Sequence, residues 1–129
     1  MILDTSALAA IFFGEPEGAR YTEAIHGADR CAISAANFVE LFLVIESQIG
    51  ADAAHQAEMF FRRARILIEP VTVEQAYLAR QAFYDFGKGR HAAGLNFGDC
   101  FAYALAKITG EPLLFKGRDF RKTDIVAAL

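Results

Sequence analysis

Four carboxylates stand where a single cleft could collect them: Asp4, Glu40, Asp99 and Asp119. Asp99 is the only charge from Leu95 to Ala106. Asn96 before it reads as a helix N-cap, which puts Asp99 in the first turn, where a carboxylate suits the positive helix end. The segment is apolar nearly all round, so a central, buried helix is expected. A charge buried there either caps the helix or faces a cation, because burial without compensation is costly. Asp4 closes the apolar run Met1-Ile2-Leu3 and has no charged neighbour before Glu15. Glu40 is the only charge from Cys31 through Ile45. Asp119 lies in the segment Lys116-Gly117-Arg118-Asp119-Phe120. Singly, each has an ordinary structural use as a cap, an exposed helix residue or a turn residue. Gathered in one cleft, they repel and resist ionising together. A divalent cation removes that conflict, and oxygen ligands without a Cys or His cluster select Mg²⁺ or Mn²⁺ over Zn²⁺. His26, His55 and His91 show no metal-site spacing.

The elements that must position these acids are short. Met1-Ile2-Leu3, Arg30-Cys31-Ala32-Ile33, Ile66-Leu67-Ile68 and Pro112-Leu113-Leu114-Phe115 read as strands, with Thr123 to Val126 as a last one. Between them lie helical stretches: Ala7 to Phe13 capped by Thr5 or Ser6, Pro16 to His26, and Ser34 as N-cap of a helix ending at Gly50. Further helices are expected from Asp52, from Val73 to Phe86 with Ala76, Leu78, Ala79, Ala82, Phe83 and Phe86 as contacts, and from Asn96 to Gly110. Unalternating strands between helices predict a three-layer α/β/α domain around a mainly parallel sheet of four to five short strands. Its ligand site belongs beyond the carboxyl ends of the strands.

The 129 residues are 54% hydrophobic and 22% charged, which fits a single domain, 1–129, with one core and excludes a disordered chain. The formal charge of −3 provides no global basic field, so a polyanion would need a local basic patch. No signal peptide and no membrane-spanning run is read, which predicts a cytoplasmic protein without a membrane partner. Cys31 and Cys100 read as small core residues in a reduced compartment.

The motifs Asp4-Thr5-Ser6-Ala7, Asn37-Phe38-Val39-Glu40, Asn96-Phe97-Gly98-Asp99-Cys100 and Lys116-Gly117-Arg118-Asp119-Phe120 resemble, in order and over essentially the whole chain, the four acidic motifs of PIN-domain ribonucleases. More narrowly the chain is similar to the VapC toxins of bacterial toxin–antitoxin pairs, as is the run Gly87-Lys88-Gly89-Arg90-His91 leading into Leu95. One departure is Arg118, where the family usually has Asn; it offers Asp119 an ion-pair partner and leaves Asp124 as a candidate to share the fourth position.

The resemblance implies Mg²⁺-dependent hydrolysis of RNA, with Mn²⁺ able to substitute. Asp4, Glu40, Asp99 and Asp119 would be its catalytic and metal-binding residues, supported by Thr5 and Ser6. Lys88, Arg90, His91, Lys116, Arg118, Arg121 and Lys122 are the candidates for RNA phosphate contacts; Arg62, Arg63 and Arg65 read as plain solvated charge. A homodimer neutralised by a VapB-like antitoxin is the partnership implied. The alternative is a catalytically silent PIN-like module that binds RNA or protein. A phosphotransfer domain with Asp4 as nucleophile fits less well, because Ser6 stands where the common pattern has a second Asp. A flavodoxin-like nucleotide fold lacks its glycine-rich turn.

Overall fold

The computed structural model describes residues 1–129. Strand β1 (Ile2–Leu3) leads into helices α1 (Thr5–Phe12) and α2 (Gly18–Gly27). Strand β2 (Ala32–Ser34) leads into α3 (Ala35–Gln48) and α4 (Ala51–Arg63), and β3 (Leu67–Glu69) into α5 (Val73–Phe86) and α6 (Phe97–Thr109). Strand β4 (Leu113–Leu114) and a 3₁₀ turn (Phe120–Lys122) complete the order. The strands form one wholly parallel sheet in the order β3-β2-β1-β4. The expected α/β/α architecture is present.

Side chains alternate across the sheet, so its two faces feed two cores. Ile2, Ala32 and Leu113 pack towards α5 and α6. Leu3, Ile33 and Leu114 pack towards α1 to α4, with Leu8, Leu41 and Ile45. Both free cysteines are buried, Cys31 in one core and Cys100 in the other.

Helix ends follow local chemistry. The N-cap of α1 is Asp4, so the helix begins at Thr5 rather than Ala7. Ser34 precedes α3 in extended conformation, but its hydroxyl makes no cap hydrogen bond. Helix α2 starts at Gly18, two residues beyond Pro16. Gly110 ends α6 at φ +69°, a left-handed conformation that suits glycine. The expected strand at Thr123 to Val126 is instead a single parallel bridge between Ala127 and Leu113. On α5 the expected contacts Leu78, Ala79, Ala82 and Phe86 do pack into the core, and two others do not. Gln75, Ala79 and Ala82 are buried, whereas Ala76 is exposed and Phe83 is 39% exposed. No helix is long and apolar enough to cross a membrane.

Strand β2 lies between β1 and β3, and Ile33 on it is fully buried. Ile33→Ala is expected to cost about 2–5 kcal/mol of stability, read by urea denaturation. A loss below about 1 kcal/mol would show that this core collapses around the deletion.

Candidate active site

The parallel sheet sends three chain segments past one edge. Asp4 follows β1, Glu40 lies on the helix after β2, and Asp119 lies on the turn after β4. Helix α6 brings Asp99 in its first turn, packed against the same edge. A capping box holds that turn: Asp99 N–H donates to Asn96 Oδ1 and Asn96 N–H donates to Asp99 Oδ2, each at 2.9 Å.

The most buried of the four acids is Asp4, 3% exposed, rather than Asp99, which is half-buried. Burial pushes the Asp4 carboxyl up from 3.8 to about 6. The Ser6 side chain and backbone work against that shift, while Asp99 and Glu40 add to it by repulsion. Burial also raises Asp99; its bond from Asn96 opposes this, and Glu40 and Asp119 add repulsion. Asp4 thus feels Asp99 and Glu40, and Asp99 feels Glu40 and Asp119. No Lys or Arg forms an ion pair with any of them, Arg118 included.

Hydrogen bonds engage one oxygen of each inner acid. Asp4 Oδ2 accepts from Ser6 N–H at 3.0 Å and from the Ser6 hydroxyl at 2.5 Å. Glu40 Oε1 accepts from the Thr5 hydroxyl at 2.5 Å and from Asn37 Nδ2 at 3.4 Å. Asp99 uses Oδ2 for its cap. Asp4 Oδ1, Glu40 Oε2 and Asp99 Oδ1 make no hydrogen bond. Thr5 and Ser6, the expected supporting residues, therefore orient carboxylates. Ser6 Oγ also accepts from Lys116 N–H at 3.0 Å, tying the Asp4 turn to the segment after β4.

Two residues in this web had no assigned role in the sequence: Asn37, fully buried, and Gly98. Asn37 Nδ2 donates to the Gly98 carbonyl at 2.9 Å. A Cβ on Gly98 would stand 2.7 Å from Glu40 Cδ, so a larger residue would push that carboxylate aside. The available signal for Asn37 was an uncharged polar residue three positions before Glu40, on the same side of an otherwise apolar helix.

A PIN domain family model matches residues 1–126. Ribonuclease VapC30 of Mycobacterium tuberculosis is 46% identical over 125 residues, covering 97% of this chain and 95% of that protein. Ribonuclease VapC of Mycolicibacterium smegmatis is 45% identical over 127 residues, 98% of each chain. The chain belongs to the PIN-domain VapC ribonucleases. The fold agrees with the crystal structure of M. tuberculosis VapC20, a sarcin–ricin-loop-cleaving toxin, at a TM-score of 0.79 and 18% identity, over 97% of this chain and 95% of that one. A toxin–antitoxin complex from Klebsiella pneumoniae matches at a TM-score of 0.72 and 18% identity, over 99% of this chain and 97% of that one.

Not every residue proposed for the VapC-type site joins it. Asp124 follows the 3₁₀ turn and meets later turns of α6, accepting from Tyr103 OH at 2.8 Å and Lys107 Nζ at 2.9 Å. Burial opposes its charge, but those bonds hold its carboxyl below the usual range. Asp124 is thus committed elsewhere, whereas Asp119 adds repulsion to Asp99. The basic residues also divide. Lys116 pairs with Glu15 and Glu17. Arg121 donates to the Leu129 carbonyl and covers Phe115. Lys122 donates to the Ala92 carbonyl, His91 Nδ1 accepts from Ala93 N–H, and Arg90 lies over Phe83 and Tyr84. Lys88 and Arg118 are exposed and make no side-chain hydrogen bond or ion pair. Arg62, Arg63 and Arg65 are exposed, as expected.

No three His, Cys, Asp or Glu side chains converge tightly enough to cage a cation by themselves. The donors still suit a hard cation that keeps part of its water, since such an ion needs only one or two carboxylates. Asp4 and Asp99 each offer a free oxygen.

The Asp4 shift has a stability consequence. Its folded pKa lies above its unfolded value, so the stabilisation is complete below about 3.8 and lost as pH rises through about 6. Without divalent cation, Asp4→Asn is expected to exceed wild type in stability at pH 7.5 by up to about 3 kcal/mol, and to match it near pH 4. Denaturation in EDTA at both pH values checks this. A variant less stable than wild type at pH 7.5 would show that the ionised carboxylate is not under strain.

Proposed function

We propose that this chain is the toxin of a toxin–antitoxin pair, a Mg²⁺-dependent endoribonuclease centred on Asp4, Glu40, Asp99 and Asp119. Asp4 carries the reading: a carboxylate taken out of water, crowded by two other acids and given no cation by the protein. Burial makes the charged form of such a group costly, and a positive partner offsets that cost. Asp4 and Asp99 are the first candidates to hold Mg²⁺, with Mn²⁺ able to replace it, and Glu40 and Asp119 as direct or water-mediated ligands. A cation bound there offsets the carboxylate charges and acidifies a water for attack on a phosphodiester.

The protein's own part is to orient these groups. Ser6 holds Asp4 and Thr5 holds Glu40, each through a hydroxyl that donates to a carboxylate oxygen. A free carboxylate oxygen can accept the proton of the attacking water. Lys88 and Arg118 are the basic residues free to meet RNA phosphates, which position a strand without reading its sequence. Lys116, Arg90, His91, Arg121 and Lys122 would have to leave present partners or contribute through them.

A homodimer and a VapB-like antitoxin are the partners in this reading. An open apolar groove of about 480 Å³ between α5 and α6, lined by Ala79, Phe83, Phe97 and Phe101, is a surface a second copy would cover. Phe97 there is 79% exposed. Light scattering is expected to give twice the 14.2 kDa chain mass, and Phe97→Ser to shift the mass towards one chain. A wild-type monomer at every concentration would refute the dimer.

The deciding experiment is cleavage of structured cellular RNAs by wild type and Asp99→Asn, each with Mg²⁺, Mn²⁺ or EDTA. Wild type is expected to cleave with either metal and not in EDTA. Asp99→Asn should be slower by on the order of 100-fold or more. Equal cleavage by the two proteins, or cleavage that survives EDTA, would overturn the reading.

A further inference from the structure

Asn37 is fully buried beside the acids, yet it caps no helix and belongs to neither apolar core. Its Nδ2 carries two N–H donors. One meets the Gly98 carbonyl at 2.9 Å and the other points at Glu40 Oε1 at 3.4 Å. The Gly98 carbonyl and the Asp99 N–H belong to one planar peptide unit. Asn96 holds the N–H end of that unit at 2.9 Å, and Asn37 holds the carbonyl end. The peptide that carries Asp99 is therefore gripped on both sides.

The same Glu40 oxygen accepts from Thr5, the residue after Asp4, and Thr5 Oγ1 also lies 3.4 Å from the Asn37 carbonyl. A continuous path of bonds thus runs from the Asp4 turn through Thr5, Glu40 and Asn37 to the Asp99 turn. Glycine at 98 lets the Glu40 carboxylate approach that peptide. Stability alone does not explain Asn37. Its Oδ1 is buried and has no partner, and an unsatisfied buried acceptor is costly. An apolar residue of similar size would avoid that cost.

We infer that Asn37 is a positioning residue, which sets the separation and aim of Glu40 and Asp99 by bonding to the Glu40 carboxylate and to the peptide of Asp99. The inference rests on the proposal that those acids bind the cation.

The test compares wild type, Asn37→Leu, Asn37→Ser and Glu40→Gln by Mn²⁺ titration without RNA, followed by electron paramagnetic resonance, and by steady-state RNA cleavage. Thermal melts are recorded for each. Asn37→Leu is expected to melt at or above the wild-type temperature. Its Mn²⁺ affinity and kcat should each fall about 10- to 100-fold, with KM for RNA changed by less than about twofold. Asn37→Ser, which has a hydroxyl too short to span both partners, should lose the same properties. Folded Asn37 variants with wild-type Mn²⁺ affinity and kcat, beside a Glu40→Gln that loses both, would overturn the positioning role and leave the metal site standing. If Glu40→Gln loses neither, the metal-site reading falls and takes the positioning role with it. Failure of both Asn37 variants to fold would assign Asn37 to the fold itself and overturn the proposal.

Discussion

The structure depends on keeping a carboxylate out of water at the end of its first strand. Asp4 is placed there by β1, which lies between β2 and β4, and by the start of α1, which it caps. The cap and the Ser6 bonds favour the charged form, but burial and two neighbouring acids outweigh them. The protein alone does not resolve this conflict. A cation would offset it, which is the reason the proposed metal site is centred there.

The other acids are held at graded depth. Glu40 and Asp99 are half-buried, and Asp119 is exposed. Asp4, Glu40 and Asp99 each have one oxygen tied by a donor and one left unbonded. Helix geometry does much of this work. The Asn96–Asp99 capping box makes one side chain serve both the start of α6 and the acidic group. The apolar remainder of α6, buried from Ala102 to Ala106, anchors that turn against the sheet. Membership of the VapC ribonucleases gives this arrangement its chemical context.

Away from the acids, local pairing decides which charges are free. Lys116 faces Glu15 and Glu17 across the α1–α2 turn, so its charge is largely answered within the protein. Lys88 and Arg118 have no such partner. On a chain of net charge −3, these local differences matter more to a polyanion than the total. Phe83, expected inside the core, is partly exposed and lines the apolar groove between α5 and α6.

By itself the sequence determined the order of the elements, the parallel three-layer class, the Asn96 cap, the α5 limits at Val73 and Phe86, and the family of the chain. These follow from local signals: apolar runs, cap residues and short motifs, which act over a few residues and survive in one dimension. Strand limits moved by a residue or two, because pairing with a neighbour rather than composition sets where so short a strand begins. Tertiary structure alone decided that Asp4 is the buried acid, that Asp124 is engaged by Tyr103 and Lys107, and that Arg118 does not pair with Asp119. It also decided that Thr5, Asn37 and Gly98 join three acidic turns into one web. Each of those outcomes depends on distances between residues far apart in the chain, and burial and hydrogen-bond reach are properties of that spacing.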